Sequence, residues 1–145
     1  MRKSLLFIAL LALSVSSCKK DSDNDTAIDG PTLLKTGTWK RALSDLNSST
    51  NPDGKNIYYA RPDCESDDVY TFKDNGQLSI DRGQKKCTDD EKSPDPVTYV
   101  LDLTNKRISI NNITYNLTEI SKTQLKFYKP MQSSDGSNIV YVFQH

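Results

Sequence analysis

The chain has 145 residues, 19 basic and 19 acidic side chains and a hydrophobic fraction of 35%, which suits one domain with one modest core. A formal charge of zero leaves no electrostatic footprint for nucleic acid. With one histidine and three cysteines, the chain is also poorly supplied with zinc ligands and histidine-activated nucleophiles.

Arg2 and Lys3 precede an apolar run from Leu5 to Leu13 that is too short to cross a bilayer as a helix, and Val15-Ser16-Ser17 leads into Cys18. This arrangement resembles a bacterial lipobox. It implies a signal peptide over residues 1–17 and a mature chain that begins at Cys18, anchored by acyl chains of the palmitate class. The competing expectation is an ordinary secretory signal with Cys18 incidental. Removing 17 of the 145 residues leaves 128, and the loss of Arg2 and Lys3 leaves 17 basic against 19 acidic side chains. Residues 18–32 are polar and aperiodic, as expected of a flexible acidic tether. Their alternating aspartates fail the calcium-loop pattern at Thr26, where glycine is needed. The acidic run after Cys18 resembles the surface-export signals of lipoproteins from Bacteroides-type bacteria, and Asp25-Thr26-Ala27 resembles their O-glycosylation motif. Together they imply attachment to the outer membrane with the domain facing outward.

The folded domain is expected over residues 33–145. Leu33-Leu34 predicts a short helical turn that plugs one end of a core, and Gly37 lets the chain bend into a strand over 38–46, where Trp39, Arg41 and Leu43 share a face. Residues 47–56 read as a loop and Ile57-Tyr58-Tyr59 as a short extended piece ended by Pro62. The stretch from Cys64 to Cys87 reads as one hairpin, with strands over 68–73 and 77–82. Lys73 pairs with Gln77 around Asn75-Gly76, which sets Phe72 opposite Leu78, Tyr70 opposite Ile80 and Asp68 opposite Arg82. Cys64 and Cys87 then fall within one residue of direct opposition, and a single bulge brings them together. Export to an oxidising compartment predicts a structural disulfide, which contributes about 3 kcal/mol by chain entropy.

Residues 88–96 form a charged, proline-punctuated loop. Beyond it, strands are expected over 97–104, 107–111, 112–119, 124–129 and 139–144. A turn at Asn105-Lys106 pairs Leu101 with Ile110, and a second at Asn111-Asn112 pairs Ile110 with Ile113 and Ile108 with Tyr115. The fold class is therefore all-β: a small antiparallel up-and-down barrel of eight strands, with a short N-terminal helical turn.

The Gly37-Thr38-Trp39 opening resembles the lipocalin G-x-W. The ordered set of Cys64, Asp67-Asp68, Tyr70-Thr71-Phe72, Asn75-Gly76, Cys87 and the closing short strands resembles the lipocalin-like domain of small lipoproteins from Bacteroides-type bacteria. The resemblance covers roughly Leu33 to Phe143. It implies a small barrel or half-open barrel with one end plugged, and it carries over no binding residues. No catalytic set, metal site or cofactor is expected: His145 lies at a chain end, and carboxylate pairs such as Asp67-Asp68 point to opposite faces of a strand. The leading expectation is an envelope lipoprotein whose barrel holds a small, partly apolar ligand, with Trp39 and Phe72 in the core and the ligand nearer Tyr58, Tyr59 or Tyr99. The alternative is a protein-interaction module that meets an envelope protein through loops 47–63 and 88–96.

Lipidation has a direct readout. A fatty-acid analogue is expected to label the wild-type chain in cells and not Cys18→Ser; equal labelling of both would end the lipoprotein reading.

Overall fold

The computed structural model describes residues 29–133 and 135–145. The expected signal peptide over residues 1–17, the expected lipidation site Cys18 and the expected tether as far as residue 28 lie outside the described residues. The expected helical turn is α1, Gly30–Lys35, which starts earlier than the tether boundary at 32 allowed. Asp29 caps it by accepting from the Thr32 backbone N–H at 2.8 Å, and Pro31 fits the first turn, where its missing N–H is not needed. Leu34 is fully buried, and its carbonyl accepts a 2.9 Å bond from the indole N–H of Trp39, itself fully buried. The ring of His145 packs on that of Trp39, centres 3.9 Å apart.

Nine strands occur among the described residues: β1 Lys40–Arg41, β2 Asn56–Tyr58, β3 Val69–Phe72, β4 Gln77–Asp81, β5 Val97–Asp102, β6 Arg107–Ile110, β7 Ile113–Ile120, β8 Gln124–Pro130 and β9 Asn138–Gln144. From β3 to β9 each strand pairs antiparallel with the next, and β1 joins the far side of β9, giving the order β1-β9-β8-β7-β6-β5-β4-β3. β2 is the exception, lying parallel to the first half of β9 with Tyr58 opposite Val140.

The first strand departs most from expectation. Instead of running over 38–46 it spans two residues, because the chain leaves β9 once the Ala42 N–H has donated to the Val142 carbonyl. It then crosses the outside of the sheet and returns to the same edge as β2. Leu43, expected inside, is consequently exposed. With so short a β1 the sheet does not close into the eight-stranded barrel expected. It is an open nine-stranded sheet whose edges meet at one antiparallel bridge, where Trp39 and Tyr70 exchange two 2.8 Å backbone bonds.

The β3–β4 hairpin has the expected register, Phe72 opposite Leu78 and Tyr70 opposite Ile80, with Gly76 at a positive φ that side chains disfavour. Asp68 is almost fully buried and its carboxylate accepts from the Arg82 guanidinium. Its neighbour Asp67 accepts from the backbone N–H groups of Gln84 and Lys85, so the acidic doublet organises the 82–85 loop. Cys64 and Cys87 are bonded, with Cα atoms 5.0 Å apart. No bulge brings them together: the ladder ends at Val69 and Asp81, and the cysteines meet beyond it, Cys64 on a 3-10 turn at Asp63–Glu65 and Cys87 in a loop.

Further on, the Asn111-Asn112 turn has both residues at positive φ and pairs Ile110 with Ile113 and Ile108 with Tyr115 as expected. The preceding turn is longer than two residues, so Leu101 pairs with Ile108 and Tyr99 with Ile110. That two-residue slip preserves the face of every side chain, which is why the apolar pattern did not reveal it.

Trp39 ties together the helical turn, the edge bridge and the C-terminus. Trp39→Ala is expected to cost about 3–5 kcal/mol, measured by denaturant unfolding; a change below about 1 kcal/mol, within the range of ordinary surface substitutions, would remove Trp39 from the core.

Candidate binding site

Because side chains alternate along β2, Tyr58 and the following Tyr59 leave on opposite faces of the sheet. Tyr58 points outward, where its hydroxyl donates to Asp45 Oδ2 at 2.8 Å and accepts from the Asn51 amide at 2.8 Å. It joins a polar cluster around Lys126, a β8 side chain with no solvent exposure. The Lys126 ammonium lies 3.1 and 3.0 Å from the two Asp45 oxygens, 2.6 Å from the Asn47 carbonyl and 2.8 Å from Asn51 Oδ1. Fully buried Gln124 extends the cluster by donating to Asp45 and Glu119 and accepting from the Leu46 backbone N–H. Burial alone would raise the Asp45 pKa. The Asn47 backbone N–H and the bonds from Lys126, Tyr58 and Gln124 outweigh it and hold the carboxyl at about 2, against an ordinary 3.8. The crossing segment between β1 and β2 is thereby pinned to the outer face of the sheet.

Tyr59 lies on the other face, still partly exposed, and stacks on Tyr141, ring centres 5.1 Å apart. Both line a ring-walled pocket of about 290 Å³ that opens to solvent. One wall comes from the C-terminal strands and carries Tyr115, Phe127, Tyr141 and Phe143; the other carries Tyr70, Phe72, Leu78 and Ile80, with Ile110 between. Rings dominate. Tyr141 and Phe127 lie at 22° to one another and Phe127 and Phe143 at 25°, while Tyr70 meets Phe143 edge-on. Burial pushes the Tyr70, Tyr115 and Tyr141 phenols above their ordinary value, so they stand in the wall as protonated hydroxyls.

The cavity adjoins the seam at which the sheet edges part. Arg41 spans that seam: its guanidinium sits 4.1 Å above the Tyr59 ring centre, and its Nη1 lies 2.9 Å from Glu65 Oε2 on the turn preceding β3. The third tyrosine expected at a ligand stands apart. Tyr99 is buried, packs edge-on against Phe72 and donates its hydroxyl to the Lys73 carbonyl at 2.9 Å; the depression it lines, of about 240 Å³, lies under α1. Of the three tyrosines, Tyr59 alone lines the ring-walled cavity.

Neither Arg41 nor Lys126 carries a sequence signal that marks it as part of a site. Arg41 shares the Trp39 face in the alternation pattern, so its inward position was visible there, but its partner Glu65 was not. Lys126 lies between Leu125 and Phe127, where period-two alternation assigns it to the face away from the core, and nothing local says that face is covered.

Breaking the Lys126–Asp45 pair strands a buried carboxylate, so Lys126→Ala is expected to cost about 3–5 kcal/mol. The acid response follows from the lowered Asp45 pKa. That carboxylate's contribution is fully present above its ordinary value of 3.8 and is lost as pH falls through about 2. Urea unfolding across that range should show a steeper acid loss in wild type than in Asp45→Asn, and identical profiles would overturn the assignment. No protein-family model matches the chain, and no curated protein is similar to it.

Proposed function

We propose that this chain is a lipocalin-like lipoprotein of the bacterial envelope, held to the outer membrane through an acylated Cys18, that binds a small, partly apolar ligand and performs no catalysis. The observation that carries the binding reading is the ring-lined pocket of about 290 Å³. A core of this composition could have filled itself, and the space that remains is bounded by apolar rings with a few hydroxyls, the composition typical of small-molecule sites. The edges of the open sheet are brought together at a seam by the Trp39–Tyr70 bridge and the Arg41–Glu65 pair, which supports a half-open, lipocalin-like shell. The leader and acidic tether support the envelope address.

A second reading rests on a larger and more polar hollow of about 570 Å³, formed by Thr50, Pro52, Leu103, Asn105, Lys106 and Tyr128 among others. In that reading the chain is an interaction module and its partner, an envelope protein, docks beside the crossing segment.

The two readings separate with a neutral solvatochromic dye. Nile red added to the mature chain carrying Cys18→Ser should shift its emission to the blue, and Ile110→Trp, which fills the cavity, should abolish the shift while the fold melts cooperatively. A shift unaffected by Ile110→Trp would move the site to the outer hollow. No shift at all would sink the cavity reading.

A further inference from the structure

Among the described residues, one formal charge stands in the cavity wall, that of Arg41, and no carboxylate does. That charge is already matched. Glu65 Oε2 lies 2.9 Å from its Nη1, and both side chains are mostly buried, 12% and 21% exposed. The surroundings add no surplus of positive charge, because Glu65 Oε1 is also 3.9 Å from Arg82, which engages Asp68 and Glu91. Two cations thus face three carboxylates. An anion seated against these rings would lose part of its water and find the guanidinium engaged, and desolvating a carboxylate without a free partner is costly.

The rest of the wall favours another chemistry. Tyr59, Tyr70, Tyr115 and Tyr141 bring hydroxyls, each able to donate and accept one or more hydrogen bonds. The same rings, with Phe127 and Phe143, provide the faces and edges against which a flat conjugated molecule packs best.

We propose that the Arg41–Glu65 pair makes this cavity selective for compact, uncharged aromatic molecules bearing hydroxyl or carbonyl oxygens. The inference rests on the ligand-binding reading above and narrows it. Glu65 is a positioning residue: it lies outside the wall and acts by neutralising and holding Arg41. Its turn is in turn held by the Cys64–Cys87 bond.

The test is calorimetric titration of the mature chain carrying Cys18→Ser with naphthol and naphthoate, two probes that share one ring system and differ in charge. Wild type should bind naphthol about tenfold or more tightly than naphthoate. Glu65→Gln, which leaves Arg41 without its counter-ion, should raise naphthoate affinity about tenfold and leave naphthol within about twofold. The double variant Arg41→Gln/Glu65→Gln should return naphthoate to weak binding. A merely structural role for Glu65 would weaken both probes together and overturn the proposal. Naphthoate binding wild type as tightly as naphthol would also overturn it, whether or not the variants fold, while leaving the cavity as a ligand site. Failure of both probes to bind wild type would overturn the cavity reading and this inference with it.

Discussion

A single ammonium group, that of Lys126, underlies the arrangement of the segment between β1 and β2. It has no solvent exposure, and its partners Asp45, Asn47 and Asn51 all come from the segment that crosses the outside of the sheet. A buried ion pair is weak evidence for net stability, since desolvating two charges offsets most of their attraction. It is better evidence for specificity. While the ammonium stays covered, a shift of the segment that removes those oxygens leaves it only Glu119 Oε2 at 3.9 Å, which favours this seat for the crossing segment.

That seat determines where β1 ends and where β2 begins, and so which side chains reach the interior. The two segments share the edge of β9, one antiparallel and one parallel, with the latched loop between them. Arg41 enters the cavity from the first and Tyr59 from just beyond the second. The ring wall and the polar latch are therefore two faces of one construction, with Tyr58 facing the latch and Tyr59 the cavity. On the opposite side of the seam, the disulfide and the buried Asp68–Arg82 pair fix the turn that presents Glu65. The seam is held by side chains and one backbone bridge rather than by a ladder, which makes it the part of the shell with the fewest backbone constraints on opening.

The interior is neither a full core nor a wide lumen. At the helical end Leu34, Trp39 and Tyr99 are buried and close the space, whereas toward Arg41 the rings of β8 and β9 leave a pocket beside Tyr70, Phe72, Leu78 and Ile80, even though Tyr70 and Phe143 touch edge-on. An assembly of large aromatic residues explains this in part: rings pack at fixed distances and angles and fill irregular gaps less readily than aliphatic chains.

What the sequence by itself determined was everything carried by neighbouring residues. Turn chemistry at Asn75-Gly76 and Asn111-Asn112, together with period-two alternation, specified the β3–β4 and β6–β7 registers residue by residue, and Cys64 and Cys87 at the feet of one hairpin specified their own bond. Where turn length was ambiguous, between β5 and β6, alternation could not detect a slip of two residues, because such a slip moves no side chain to the other face. The fate of residues 38–58 was decided only in three dimensions. Alternation at Trp39, Arg41 and Leu43 is satisfied equally by a long closing strand and by two short pieces around a crossing, and the partner that decides between them, Lys126, lies about eighty residues further along the chain. The same holds for the charge selectivity of the cavity. Arg41 is legible as an inward-facing cation, but Glu65 becomes its counter-ion only when the hairpin's 3-10 turn is brought across the seam, and electrostatic neutrality is a property of distances that no spacing of residues along a chain records.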